Sequence, residues 1–207
     1  MAPRQVGRVA SLVAGSYGIL MFAGLATVWS GADFRGPEPG DPWPFRQGRV
    51  EIGVQAGGGA SVQHDPRSGS VFALLPRVGY ILHEFENGLP GSVQIAVQPT
   101  YLTVFQGSTA YVGGVAGLLK YNIRTETRMT PFLQLGAGVA GATRRTPSLG
   151  GYFNFILQAG VGVQYAINDR YTFNVEWLYQ HLSNADLYRS NLGLNTSVVL
   201  VGVSAFY

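Results

Sequence analysis

A histidine and a serine two residues apart, His181 and Ser183, have the residue types and spacing of a nucleophilic pair. A serine hydroxyl becomes a nucleophile when a neighbouring imidazole takes its proton, and such pairs cleave esters or amides. In an extended strand, residues i and i+2 share a face, so the two side chains would be neighbours. The spacing therefore predicts a hydrolytic Ser–His pair. The alternative is that both are plain polar residues at the end of a strand.

Other kinds of site find little support in the sequence. The chain has no cysteine, and its three histidines, His64, His83 and His181, include no pair at metal-ligand spacing. We therefore expect no metal and no other cofactor. The formal net charge of +3 is concentrated at the N-terminus: residues 33–207 hold 12 basic and 11 acidic residues. A chain with so little net charge gives no indication of a nucleic-acid partner.

The N-terminus has the pattern of a targeting segment. Two arginines, Arg4 and Arg8, precede an uncharged run over 9–29, and the small residues 30-SGA-32 follow. This is typical of a secretory signal peptide, and we predict cleavage after Ala32. Residues 1–32 are then the signal peptide and 33–47 a proline-rich N-terminal lead. An uncleaved membrane anchor is the alternative, because the run is long enough to span a bilayer.

The rest of the chain alternates apolar and polar residues in eight runs separated by turn residues. Charged residues make up only 12% and there are 29 glycines, which is typical of a strand-rich chain whose surface does not face water. The predicted strands lie at about 48–62, 70–85, 92–106, 109–123, 128–145, 152–167, 171–183 and 194–207. We predict an all-β fold, an eight-stranded antiparallel transmembrane β-barrel over 48–207. A soluble lipocalin-like barrel is the alternative; the signal peptide and the aromatic C-terminus 205-AFY-207 favour the membrane.

The phase of the seventh strand decides where the Ser–His pair points. From 171 to 183 the odd positions form the apolar set, so Phe173, Val175 and Trp177 are predicted to face lipid. The even positions, with Glu176, are predicted to face the lumen. The odd set includes the pair, so the pair is predicted on the lipid-facing wall, at the outer end of its strand.

The run 181-HLSNADLYRSNLGLN-195 resembles the PagL-type lipid A deacylases of the Gram-negative outer membrane. Their pattern is His-x-Ser-Asn-Ala, an Asn eight residues after the Ser and a Gly two further on, which here fall on His181, Ser183, Asn184, Ala185, Asn191 and Gly193. The resemblance implies an outer-membrane serine esterase that releases a 3-hydroxyacyl chain from lipid A, the lipid part of lipopolysaccharide in the outer leaflet. It also implies that Ser183 is the nucleophile, His181 the base and Asn191 part of the oxyanion site. It leaves open which ester is cut, and whether the chain is a homodimer.

The sequence departs from this family at one place. The best-known members have a Glu twelve residues after the Ser to orient the His, and here that position is Asn195. An Asn carbonyl can still accept the imidazole N–H, so we predict Asn195 as the third catalytic residue, with Asp186 as an alternative acid. Because of this departure two other functions stay open. One is a catalytically silent homologue that binds lipid A, and the other is a structural or adhesive barrel.

Overall fold

The computed structural model describes residues 43–62, 69–146, 148–187 and 192–207, all within one compact unit, Gly36–Tyr207. They form eight strands: β1 (Val50–Ser61), β2 (Ser70–Phe85), β3 (Gly91–Gln106), β4 (Ser108–Ile123), β5 (Met129–Ala142), β6 (Phe153–Ala166), β7 (Tyr171–Ser183) and β8 (Leu194–Phe206). Each strand pairs antiparallel with the next, and β1 pairs with β8, so the sheet closes. The predicted eight-stranded antiparallel barrel is confirmed. The predicted signal peptide, residues 1–32, lies outside the described residues.

The strand limits differ from the sequence prediction by at most three residues, and two of the differences have a clear structural reason. The turn expected at 107–108 is a single residue, Gly107, whose φ of +70° suits glycine, and Ser108 already belongs to β4. Strand β5 ends at Ala142 rather than at residue 145. Its partner β6 begins only at Phe153, and the pairing of the two strands ends at Gly141 opposite Phe153, so the residues beyond have no β6 partner.

The connections at the two ends of the barrel differ in length. At one end they are short, 86–90, 124–128 and 167–170; at the other, three of the four are longer, 62–69, 143–152 and 184–193. Outer-membrane barrels have short periplasmic turns and longer external loops. We therefore call the first end periplasmic and the second external. In the part of the chain that the structure describes, no helix is long and apolar enough to cross a membrane.

The wall of the barrel is apolar on its outside. On β7, Phe173 is 43% exposed and Val175 is 38% exposed, and Trp177 on the same face is half-buried. Glu176 between them is 1% exposed and points inward. The strand phase read from the sequence is therefore confirmed, with an apolar outer face for lipid.

The middle of the interior holds charged residues that balance one another. Arg77 lies 3.4 Å from Glu176, and Lys120 lies 3.8 Å from Glu51, with all four side chains buried. Glutamine side chains complete the hydrogen bonding of Glu176. Two cations thus face two carboxylates, which avoids an uncompensated buried charge.

Toward the external end the interior is mostly apolar. A buried cluster fills it, made of leucines, valines, alanines and one isoleucine, and Leu149 from the connection 143–152 belongs to it. The polar lumen expected of a membrane barrel is therefore found mainly in the deeper part. At the periplasmic end, Trp43 and Phe45 from the predicted lead pack with Ile81 and Phe206. Their rings meet edge-on, at 4.9 Å between Trp43 and Phe45 and 5.0 Å between Phe45 and Phe206. Side chains thus fill the interior of the barrel at both ends.

Candidate active site

The candidate site lies on the outside of the barrel where β7 and β8 pair. His181 is directly opposite Asn195 in this antiparallel ladder, and Ser183 is two residues further toward the external end. Because alternate residues share a face, all three side chains belong to the lipid-facing wall. His181, Ser183 and Asn195 are each partly exposed. The sheet therefore brings the three predicted catalytic residues to one patch of the wall.

A short hydrogen bond joins the histidine to the asparagine. His181 Nδ1 lies 2.6 Å from Asn195 Oδ1. A carboxamide oxygen can only accept, so Nδ1 must carry the proton in this pair. Neutral imidazole has a single N–H, and Nε2 is therefore left with a free electron pair. This is the tautomer that a general base requires.

Ser183 lies beside His181 on the same face of β7. Its Cα is two residues from that of His181, a separation of about 6.6 Å along a strand. Within the described part of the chain, Ser183 Oγ makes no hydrogen bond with the His181 ring. Catalytic hydrogen bonds are often long in a site without substrate and tighten when it binds. The arrangement is compatible with a nucleophile and a base that meet only when substrate binds.

Gly193 fits the backbone closely against the histidine ring. Its φ is +67°, and a Cβ atom built on it would lie 2.9 Å from His181 Cε1. Any larger residue would therefore push the ring, and an L-residue would also be strained by the backbone conformation. The sequence motif contains this glycine, but its contact with the ring depends on the loop conformation, which no local pattern indicates.

The residues after the serine turn sharply. Asn184 is buried, whereas Ala185 and Asp186 are exposed and have positive φ angles of 48° and 62°. The turn is closed by a hydrogen bond from Leu187 N to Asn184 O at 3.0 Å. Positive φ is uncommon for residues other than glycine, so this turn holds its backbone in an unfavourable conformation beside Ser183. Asp186 lies in this exposed turn.

Asn191, the predicted oxyanion residue, lies outside the described residues, so its role stays a prediction.

The surroundings of the pair on β6 are apolar: Leu157 is opposite His181 and Phe155 is opposite Ser183, both exposed on the wall. Sequence reasoning did not identify these two neighbours, because they depend on the β6–β7 register. The short connection 167–170 could have indicated this register, because a short turn limits how two strands can pair. No group of residues able to hold a metal ion occurs among the described residues.

Comparisons with known proteins agree with the fold of the barrel. The family model for lipid A 3-O-deacylase (PagL) matches residues 84–204, more than half of the chain. A crystal structure of the outer-membrane enzyme PagL is similar with a TM-score of 0.61 and 21% identity, over 72% of this chain and 97% of that one. A crystal structure of Neisserial surface protein A is similar with a TM-score of 0.59 and 16% identity, over 77% of this chain and 97% of that one. No curated protein matches the chain.

The closed eight-stranded wall with its apolar outer face defines an outer-membrane β-barrel. Within that class, the family match is decisive. The chain belongs to the lipid A 3-O-deacylase (PagL) family.

Proposed function

We propose that this protein is an outer-membrane serine esterase that removes the ester-linked 3-hydroxyacyl chain at the 3-O position of lipid A. The observation that carries the proposal is the 2.6 Å hydrogen bond between His181 and Asn195 on the lipid-facing wall. His181 lies two residues from Ser183 on the same strand. Membership of the deacylase family supports the choice of substrate.

The reaction has two halves. Ser183 Oγ attacks the ester carbonyl while His181 Nε2 takes the hydroxyl proton. The tetrahedral intermediate collapses, the sugar oxygen leaves with the proton from His181, and the acyl chain stays on Ser183. Water then attacks the acyl-enzyme with His181 again as base, which releases the 3-hydroxy fatty acid and restores the serine.

Asn195 has a positioning role in this scheme. It holds the Nδ1–H tautomer and the ring orientation, as the asparagine does in Cys-His-Asn proteases. Unlike a carboxylate, it adds no negative charge to stabilise the imidazolium. Asp186 is the alternative acid for that task, and its exposed position in the turn 184–187 supports this role less well than the direct contact supports Asn195.

Asn191 is proposed to stabilise the oxyanion through its side-chain N–H groups. Such donors are worth most where water is excluded and the developing charge has few other partners. The apolar neighbours Phe155 and Leu157 favour such a dry setting for the ester.

The outward direction of the pair supports a lipid substrate. A nucleophile on the outside of a membrane barrel meets molecules that lie within the bilayer. At the external end those are outer-leaflet lipids, and the ester of lipid A lies near the interface between its sugar and its chains.

A silent homologue that binds lipid A without cleaving it is the second candidate, favoured by the amide of Asn195 at a position where the family resemblance implies a carboxylate. The test compares lipid A by mass spectrometry from cells that make the wild type, the Ser183→Ala variant or no barrel. Loss of one 3-hydroxyacyl mass with wild type alone is the expected result. Unchanged lipid A in all three would contradict the proposed activity and favour the silent homologue.

A further inference from the structure

A notch that does not include the Ser–His pair lies on the external half of the wall, on strands β2 to β5. It is an open depression with a volume of about 500 Å³. Its floor is made by Gly113 on β4 and Gly141 on β5, which face each other directly in the ladder. A Cβ at Gly113 would have no atom within 4 Å, and one at Gly141 none closer than 3.9 Å. The missing side chains therefore leave open space on the wall.

Aromatic side chains border this floor. In the same row across the sheet, Tyr101 is opposite Gly113 on one side and Phe153 is opposite Gly141 on the other. Tyr111 lies one step toward the external end and is 60% exposed. A depression with an apolar floor and aromatic walls has the shape and chemistry for a hydrocarbon chain.

Two arginines follow the notch at the external end of β5. Arg144 and Arg145 are both exposed, and the Arg145 guanidinium stacks over the Tyr152 ring at 5.5 Å from its centroid. No carboxylate in the described ranges forms an ion pair with either arginine. A stacked guanidinium keeps its N–H edge available for a phosphate, which it binds in a bidentate manner. The notch and its rim thus have the two halves of a site for an amphiphilic anion.

The notch lies close to the Ser–His pair on the same wall. Val139, next to Gly141 on the outer face of β5, is opposite Phe155 on β6, and Phe155 is opposite Ser183 on β7. From β5 to β7 there are two strand spacings, about 10 Å. One acylated disaccharide could therefore reach both places.

We propose that this notch is a second binding subsite for the substrate, in which a chain that is not cut lies over Gly113 and Gly141 and a phosphate of the same lipid meets Arg145. The class of ligand is a phosphorylated, multiply acylated glycolipid of the outer leaflet. The inference rests on the proposed function for the identity of that lipid. The basic rim distinguishes this occupant from a second copy of the barrel, which would have to offer an anionic group at the same place.

The test measures binding separately from turnover. The full-length Ser183→Ala barrel in detergent micelles is titrated with bisphosphorylated hexa-acyl lipid A and with the same lipid after removal of its phosphates, and bound lipid is counted by native mass spectrometry. The variants are Gly113→Leu, which fills the notch, and the double variant Arg144→Gln, Arg145→Gln. The matched control is Gly117→Leu, which adds the same bulk on the same face of β4, about 13 Å deeper, where a Cβ also meets no atom closer than 4.0 Å.

We expect Gly113→Leu to weaken binding of both lipids about tenfold and Gly117→Leu to leave it unchanged. The double arginine variant should bind the phosphorylated lipid no better than the dephosphorylated one. Equal binding of the two lipids by the Ser183→Ala parent, or an unchanged affinity in Gly113→Leu, would overturn the subsite. A barrel dimer that Gly113→Leu dissociates, with lipid binding unchanged, would assign the notch to a second copy instead. Failure of the proposed function is seen separately, as absent hydrolysis by the wild type.

Discussion

The side-chain oxygen of Asn195 accepts the Nδ1–H proton of His181 across the β7–β8 ladder, at 2.6 Å. His181 and Asn195 meet because they are directly opposite each other in the ladder, so the backbones of two neighbouring strands hold the imidazole in place. The contact separates two tasks that a carboxylate performs together, since the amide fixes tautomer and orientation but adds no charge. The orientation of the His181 ring is thus a property of sheet register.

Asn195 variants test whether that contact matters for catalysis. Removing the acceptor in Asn195→Ala frees the ring to rotate and change tautomer, and we expect kcat to fall about a hundredfold while the barrel stays folded. Asn195→Glu should preserve or raise activity, because it supplies a carboxylate at the same place. The measurement is fatty-acid release from lipid A by purified barrel in detergent.

His181→Ala is the reference for complete loss in this series, and heat-modifiable migration in electrophoresis reports folding. Full activity in Asn195→Ala would exclude Asn195 from the mechanism. Asp186→Asn would then be the variant to measure next, because Asp186 is the alternative acid.

Gly193→Ala tests the close approach of backbone to ring. The added Cβ would lie 2.9 Å from His181 Cε1, so the ring must move and its hydrogen bond to Asn195 must lengthen. We expect kcat to fall about tenfold or more, with a smaller change in KM, because binding of the lipid chains is not affected. The Cε1–H resonance of His181 in histidine-labelled protein should shift as well.

Backbone strain alone must be separated from that contact. Gly107 also has a positive φ, +70°, but a Cβ there would meet nothing within 4 Å. Gly107→Ala therefore carries a similar conformational cost without touching the site. Equal loss of turnover in the two variants would mean that the contact with His181 is not the cause.

Glu176→Gln tests whether the interior of the barrel is independent of the wall that carries the Ser–His pair. Glu176 accepts hydrogen bonds from Gln55 at 3.0 Å and from Gln134 at 2.6 Å, and lies 3.4 Å from Arg77. Neutralising it leaves Arg77 without its carboxylate, so we expect the free energy of unfolding to fall by about 3 kcal/mol. Turnover of the folded fraction should stay near wild type. A loss as complete as that of Ser183→Ala, in folded protein, would contradict the inward orientation of this residue.

Phe45→Ala tests the closure of the periplasmic end. Phe45 is fully buried between Trp43 and Phe206, and its removal leaves a cavity. We expect a destabilisation of about 3 kcal/mol, seen as a lower unfolding midpoint in urea, with hydrolysis unchanged. Pro44→Ala, in the same segment, is the control for altering the chain itself. An unchanged midpoint in Phe45→Ala would mean that residues 43–45 do not stabilise the barrel.

The period-two pattern made much of this fold predictable. Alternation over 171–183 was enough to place Glu176 inside and Val175 outside, and the shared face of His181 and Asn195 put them on one wall. The contact of Gly193 with the ring could not be predicted, because it depends on a backbone angle set by the loop. The apolar filling near Leu149 was also hidden, since it requires a loop to fold into the lumen. The opposition of Gly113 and Gly141 depends on register, which alternation alone does not fix.

The outward direction of His181 and Ser183 has a consequence for kinetics. An enzyme that takes its substrate sideways from a bilayer responds to the mole fraction of that lipid in the surface, so adding inert detergent or phospholipid should slow it at constant bulk substrate. The freed fatty acid and the trimmed glycolipid both re-enter the same leaflet. The products then leave by lateral diffusion in two dimensions, and the reaction changes the lipid composition of the leaflet around the barrel.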